Sequence, residues 1–202
     1  MLIWVLFVAA LLAQHGTQPG SQRQTFVSPD GVFQISYPRA YILNTKENAN
    51  EVGPRVGVSY IPVCSDGAVC VVSPRSASEG TNFQAAAFQE REIQDATTEV
   101  ACLRGPSEDV PRHQLPKKDQ KRIIGGIVFT HGSTGEAGLG NYMGSDFYRV
   151  FHKRKCYELC VNIASSSFAN FDPGTIKEFT RDDERRVRGD LVTIVDSFRF
   201  LK

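Results

Sequence analysis

The stretch FVSPDGVFQISYP, residues 26–38 of this 202-residue chain, carries the clearest fold signal in the sequence. Its Pro-Asp-Gly triplet at 29–31 is a turn sequence, because proline presets φ and glycine accepts a positive φ. After the turn, Phe33, Ile35 and Tyr37 alternate with polar residues, so one side of the segment is apolar. The stretch therefore predicts a strand, a tight turn and a second, half-buried strand that ends at the final proline.

The C-terminal part of the chain carries an equally clear helical signal. Apolar residues recur there at helical spacing and mark one buried face, formed by Val187, Leu191, Ile194, Val195 and Phe198. Thr180 is placed to cap this helix, and the three acids at 182–184 suit its positive N-terminus. Residues 198–201 then predict a short closing strand.

Between these two ends the sequence predicts a further helix, several strands and two loops. The helix is predicted over 81–96, where a capping-box pattern and three consecutive alanines favour helix. Apolar or alternating runs predict strands at 56–61, 68–72, 123–130, 147–151 and 157–164. The glycine pair at 125–126 predicts a bulge or a close backbone approach within one strand. Loops are predicted at 104–122, which contains three prolines, and at the glycine-rich 132–144.

Several antiparallel strands with two principal helices predict an α+β fold in which helices cover an antiparallel β-sheet. Residues 26–38 and the ending IVDSFRFL, residues 194–201, resemble the corresponding parts of PsbP-like proteins. The resemblance implies an α/β/α sandwich, shared by an extrinsic photosystem II subunit, a Ran-binding import factor and many bacterial secreted proteins. That family has no common catalytic constellation, so the resemblance implies no catalytic residue.

The first 13 residues, MLIWVLFVAALLA, contain no charged side chain. A transmembrane helix needs about 20 apolar residues, whereas this shorter run suits a signal-peptide core with Ala13 at the cleavage site. We therefore expect residues 1–13 to be a signal peptide, 14–25 a flexible tether and 26–202 a single domain. Export to the periplasm or the cell exterior follows, and membrane attachment is expected only if the signal segment stays uncleaved.

Composition excludes several classes of protein. Lys and Arg total 23 and Asp and Glu total 22, a net charge of +1 that is too balanced for a non-specific nucleic-acid binder. Hydrophobic residues make up 41% of the chain, which is typical of a folded protein and not of a disordered one. The glycine-rich segment lacks a P-loop triplet and the cysteines lack zinc spacing, so we expect no cofactor and no metal.

Five cysteines in an exported chain predict disulfides. Cys64 and Cys70 flank an Asp-Gly turn, which brings their Cα atoms within reach of a bridge. Cys156 and Cys160 lie four residues apart on a predicted strand, too far to pair with each other. Cys102 is therefore expected to pair with one of these two. Cys156 is favoured because it lies at the strand end, and the other cysteine stays free.

Candidate functional residues fall into two groups. His131 and Ser133 lie among glycines, but the Gly-x-Ser-x-Gly spacing of a nucleophile elbow is missing, so we expect a strand end there. Two basic runs are the candidates for a surface that binds an anionic lipid, a glycan or an acidic protein. They comprise Arg112, Lys117, Lys118, Lys121, Arg122, Lys153, Arg154 and Lys155. The alternative is an ordinary solvated loop and turn.

These features favour an exported, non-enzymatic domain that binds a partner protein or a cell-envelope component through one of its two long loops, 112–122 or 132–144. A small secreted hydrolase is one alternative, and it needs His131 or His152 beside a carboxylate or a nucleophile. A structural subunit of an envelope assembly is the other, and it needs an exposed apolar patch.

Overall fold

A computed structural model of the chain describes residues 22–45, 64, 69–103 and 120–201, which form two antiparallel sheets and two α-helices. The fold is therefore α+β. The smaller sheet consists of β1 (Arg23–Val27), β2 (Phe33–Pro38) and the last strand of the chain, β10 (Arg199–Phe200). β2 lies in the middle and pairs antiparallel with both neighbours.

The larger sheet has seven strands, and each pairs antiparallel with its neighbours. They are β3 (Ile42–Asn44), β4 (Val69–Val72), β5 (Phe83–Glu92), β6 (Gln120–Ile124), β7 (Ile127–Gly138), β8 (Asn141–His152) and β9 (Lys155–Ser166). Their spatial order is β3–β4–β5–β9–β8–β7–β6. The helices are the short α1 (Glu99–Leu103) and the long α2 (Arg181–Ser197).

The helix α2 contacts strands of both sheets, and its buried face is the one that the sequence pattern predicts. Val187, Leu191, Ile194 and Val195 are buried, and the helix packs against β2, β5 and β9. At its start the Thr180 hydroxyl accepts a hydrogen bond from the backbone N–H of Asp183, and the Asp183 carboxylate accepts one from the backbone N–H of Thr180. This reciprocal capping box satisfies two backbone donors that a helix otherwise leaves unpaired.

The larger sheet buries both of its faces at β5 and β9. On the helix side, Phe88, Leu159 and Val161 belong to the main core together with α2 and the smaller sheet. On the other side, a separate cluster is formed by the small side chains of Cys70, Val72, Ala85, Ala87 and Ala164. Two buried faces mean that β5 does not show the apolar–polar alternation of a half-exposed strand.

The helix predicted over 81–96 is therefore wrong, because this segment is strand β5. All residues from Phe83 to Glu90 are buried, so nothing in their polarity reveals a strand. A shift in pairing between Phe83 and Ala85 also places Phe83 in the same core cluster as Ala86 and Phe88. The resulting three-residue spacing imitates a helix, and long-range pairing with β4 and β9 overrides the helical preference of alanine.

At two further places the structure has a β-hairpin where the sequence predicted a different element. The single bulged strand predicted at 123–130 is a hairpin, in which β6 and β7 are joined by a turn at Gly125 and Gly126 with φ of 55° and 83°. The loop predicted at 132–144 is also a hairpin, because β7 and β8 pair from Thr130 with Arg149 to Gly138 with Asn141. Residues 120–122, assigned to a proline-rich loop, belong to β6.

The predicted boundaries need smaller changes. A flexible tether was predicted over residues 14–25. Strand β1 begins at Arg23, so the last residues of that range belong to the smaller sheet. The predicted signal peptide at 1–13, the predicted strand at 56–61 and residues 104–119 lie outside the described part of the chain. Within the described part, no helix is long and apolar enough to cross a membrane.

The disulfides match the predicted pairing. Cys64 is bonded to Cys70, with Cα atoms 6.0 Å apart, and Cys102 to Cys156, with Cα atoms 5.4 Å apart. The second bond attaches α1 to the start of β9. Cys160 is the free cysteine, and its burial, reinforced by the nearby Glu158 carboxylate, raises the pKa of its thiol well above the ordinary value. A thiol in this state stays protonated and unreactive.

The Gly125–Gly126 turn offers a matched test of the hairpin. A Cβ at Gly125 would lie 2.6 Å from the carbonyl oxygen of Phe198, whereas a Cβ at Gly126 would meet nothing within 4 Å. We expect Gly126→Ala to cost about 1 kcal/mol of unfolding free energy from its positive φ alone. Gly125→Ala should cost roughly 2–3 kcal/mol because the clash adds to the strain. Urea unfolding of both variants measures the difference, and equal losses would contradict the close approach to β10.

Candidate binding site

An open cleft lies on the helix side of the larger sheet, where β7 and β8 extend beside the start of α2. Its volume is about 510 Å³. Gly135 of β7 pairs with Gly144 of β8 at its floor, and the absence of side chains there leaves the sheet surface open. The walls include Ala137, Tyr142, Phe179 and Glu184. We call this feature the glycine cleft.

The wall formed by Phe179 is held by the segment that precedes α2. The backbone N–H of Phe179 donates to the side-chain oxygen of Asn82 at 2.6 Å, and its ring packs 5.0 Å from that of Phe83. Glu184 lies in the first turn of α2 and is held by Arg188, whose guanidinium donates to its carboxylate at 2.6 Å. The glycine cleft therefore has one apolar wall and one charged wall, both positioned by contacts within the core.

A polar cluster borders the cleft under α2. Arg188 donates to Asp146 of β8 as well as to Glu184, so one guanidinium bridges two carboxylates. The ring of His131 stacks on that of Tyr148, with centroids 4.5 Å apart and planes inclined by 10°. The His131 Nε2 lies 3.9 Å from an Asp146 oxygen, which is too long for a hydrogen bond. Among the described residues this buried nitrogen has no hydrogen-bond partner.

The stability of the fold should depend on pH through His131. Burial lowers its pKa below the ordinary 6.5, with Asp146 acting in the opposite direction. Between the lowered folded pKa and 6.5 the unfolded chain binds more protons, so stability should fall as the pH falls through this window and be retained above it. His131→Phe keeps the ring stacking and removes the titration. Urea midpoints at pH ~7.5 and ~5.5 should therefore differ less in this variant than in the wild type. An unchanged difference would show that His131 does not contribute.

Beyond the cleft, the end of the β7–β8 hairpin carries exposed apolar side chains. Leu139 in the turn has a φ of 51° and is 89% exposed. The carbonyl oxygen of Gly140 accepts hydrogen bonds from the Ser167 backbone at 2.6 Å and from the Asn170 side chain at 3.2 Å, so the turn is tied to residues 167–170. The exposed apolar side chains on these joined segments are Leu139, Tyr142, Phe168 and Phe171. We call these four side chains the apolar tip.

The basic residues predicted to form one binding surface lie in different places. Arg112, Lys117 and Lys118 are outside the described residues. Lys121 and Arg122 lie on β6, where Arg122 makes a two-oxygen contact with Asp196 of α2 and its charge is offset. Lys153, Arg154 and Lys155 lie at the turn between β8 and β9.

The candidate catalytic residues are brought only partly together. His131 is close to the Asp146 carboxylate, but that carboxylate already forms an ion pair with Arg188. Ser133 is exposed and pairs with Asp146 in the strand register. His152 stacks on Phe200 with ring centroids 4.1 Å apart. In the part of the chain that the structure describes, no three metal-ligating side chains converge.

The segment 132–144, which supplies the floor of the cleft, was one of the two segments expected to bind, whereas the charged residues beside it were not singled out in the sequence. Asp146 and Arg188 are 42 positions apart and meet only through the packing of α2 on β8. The only local signal is Gly140, which stands between two segments of strand length and suits the positive φ of a turn.

Comparisons with known proteins leave the family open. No family model matches the chain, and no curated protein does. A crystal structure from Bacteroides thetaiotaomicron matches with a TM-score of 0.44 and 10% sequence identity, covering 92% of this chain. The chain spans only 50% of the length of that protein. LpqN of Mycobacterium tuberculosis, described as involved in cell envelope biogenesis, matches with a TM-score of 0.38 and 10% identity, covering 90% of this chain and 91% of its own. Likenesses at this level carry no argument about function.

Proposed function

We propose that this chain is an exported, non-enzymatic domain that binds a partner protein or a cell-envelope component through the apolar tip and the glycine cleft. The observation that carries the proposal is the exposure of the apolar tip beside an open cleft. A soluble domain gains nothing in stability from an 89% exposed leucine with positive φ at a hairpin turn. Contact with another molecule removes these apolar side chains from water and so accounts for their position.

The proposal of export rests on two independent features. Two disulfides join cysteines of the described residues, and such bonds persist in oxidising compartments. The first 13 residues have the composition of a signal-peptide core. If they are removed after Ala13, the mature protein has 189 of the 202 residues, and its intact mass in the cell envelope or medium will show this. The PsbP-like fold suggested by residues 26–38 and 194–201 remains part of this proposal.

A matched pair of variants tests the binding role. Leu139→Asp places a charge in the apolar tip, and Val100→Asp places one at another exposed apolar residue, 61% exposed, on α1. We expect Leu139→Asp to weaken saturable binding to the cell-envelope fraction by at least about tenfold, because a buried unpaired carboxylate is costly in an interface. Val100→Asp should bind like the wild type. Equal binding by all three proteins would contradict the proposed site.

A small secreted hydrolase is the second candidate, and the closeness of His131 to Asp146 is the observation in its favour. The carboxylate is already held by Arg188, and a half-buried histidine stacked on Tyr148 has little freedom to reach a substrate. Hydrolysis of simple esters that is abolished by His131→Phe, in a variant that remains folded, would favour this candidate over the binding domain.

A further inference from the structure

The turn between β8 and β9 is built from residues that the backbone does not favour there. His152 pairs with Lys155, so Lys153 and Arg154 form a two-residue turn, with φ of 48° and 64°. Both residues are in the left-handed region, which glycine and asparagine adopt readily and which is strained for lysine and arginine. Local backbone strain of this kind persists where the side chains have a use. We call Lys153 and Arg154 the basic tip.

The charges of the basic tip are available for a ligand. Lys153 and Arg154 are exposed, and among the described residues neither forms an ion pair with a carboxylate. The neighbouring Lys155 differs, because its Nζ lies 2.8 Å from a Glu92 oxygen and its charge is offset. The end of the β8–β9 hairpin therefore carries two positive charges that no described carboxylate offsets.

A small pocket adjoins the basic tip. Its volume is about 240 Å³, and Lys153, Lys155 and His152 lie on one side while residues 30–32 of the β1–β2 turn lie on the other. On its aromatic side Phe200 stacks on His152, with ring centroids 4.1 Å apart, and meets Tyr157 edge-on, with ring centroids 4.9 Å apart. Asp30 adds one negative charge, and its carboxylate accepts a hydrogen bond from the backbone N–H of Val32 within its own turn.

We propose that the basic tip and this pocket bind the phosphate group of a phosphate ester. Lys153 lines the pocket and supplies a point charge there, and the exposed Arg154, next to it in the turn, carries a guanidinium that can donate to two phosphate oxygens at the pocket's edge. The aromatic side of the pocket contacts the organic part of the ester. The site goes beyond the proposed binding role of the apolar tip, because it lies at the opposite end of the 12-residue strand β8, roughly 37 Å away.

Two variants separate the charge from the strain. Lys153→Asn with Arg154→Gly removes both charges and relaxes the turn, and Lys153→Gln with Arg154→Gln removes both charges and keeps the strain. Lys177→Gln with Arg181→Gln is the control, because it removes two exposed positive charges elsewhere. The Asn-Gly variant should unfold at a higher urea concentration than the wild type, so a loss of binding cannot come from misfolding.

The probes are glycerol phosphate in solution and vesicles of phosphatidylglycerol, with phosphatidylcholine vesicles as the neutral comparison. We expect wild type and control to bind at least one anionic probe and both tip variants to bind it at least about tenfold more weakly. Binding to the soluble ester identifies a free phosphate ester as the ligand, and binding to the anionic vesicles alone identifies a lipid headgroup. Binding by the tip variants equal to wild type, an equal loss in the control, or no binding by wild type to either anionic probe would overturn the proposal. Leu139→Asp leaves this binding unchanged, so the two sites are tested separately.

Discussion

Replacing Arg149 with alanine is expected to lower the free energy of unfolding by about 3–5 kcal/mol. The Arg149 Nε donates to a Glu158 oxygen at 2.6 Å, and the two side chains are only 6% and 2% exposed. Glu158 also accepts from Arg91, but that side chain is 37% exposed and binds the other oxygen. Without Arg149, the buried Glu158 carboxylate loses its buried partner. Loss of one member of a buried ion pair is among the most destabilising of single substitutions.

Two comparisons make this expectation specific. Arg122→Ala removes an ion pair with Asp196 that is about half exposed to solvent, and it should cost about 1 kcal/mol or less. Arg149→Met combined with Glu158→Leu removes both charges and should recover most of the stability that Arg149→Ala loses. Urea unfolding measures all of these values. If Arg149→Ala and Arg122→Ala destabilise the protein equally, the buried pair does not have the role that its burial implies.

Removing the Cys102–Cys156 disulfide with two alanines is expected to cost about 4 kcal/mol, and removing Cys64–Cys70 about 2 kcal/mol. The cysteines of the first pair are 54 residues apart in the chain and those of the second only 6. The bond that closes the longer loop restricts the unfolded chain more strongly.

The same measurement tests how α1 is held. Cys102 and Cys156 are both completely buried against Ala96, so the alanine pair also leaves a small cavity that adds to the loss. We expect the order of the two losses to hold under non-reducing conditions with Cys160 left in place. An equal effect of the two double variants would show that loop length does not control the stabilisation.

The two ends of the fold were predictable because their signals are local. Residues 26–38 carry a turn sequence and a strict alternation, and the structure buries Phe33, Ile35 and Tyr37 on one side of β2. Thr180 caps α2 as its position indicates. In both places the local sequence signal for the secondary structure agrees with the burial of the apolar side chains in the folded protein.

Strand β5 was not predictable from local signals. Ala85 and Ala87 face small side chains on one side of the sheet and Ala86 faces the main core on the other, and their helical preference has to yield to pairing with β4 and β9. The hairpin of β7 and β8 was missed for a related reason. Glycines at positions 135 and 144 read as loop residues in the sequence, but in the structure they pair across two strands and form the floor of the cleft.

The candidate site depends on contacts that no local pattern reports. His131 was considered with Ser133, its neighbour in the chain, whereas its structural partners Tyr148 and Asp146 come from the adjacent strand. The exposure of Leu139 is likewise a property of the folded hairpin. The sequence of a glycine-rich segment does not show which of its apolar side chains will be exposed in the folded protein.

The most direct test of the binding role is site-specific photocross-linking at the apolar tip in the native cell envelope. A photoreactive residue replaces Tyr142, which is 49% exposed, and in a second protein it replaces Ile42, which is 48% exposed on β3. We expect a discrete cross-linked product at position 142 that unlabelled wild-type protein competes away and that Leu139→Asp protein does not. No product is expected at position 42. A product of equal yield at both positions, or none at position 142, would contradict the assignment of the apolar tip and glycine cleft as a binding site.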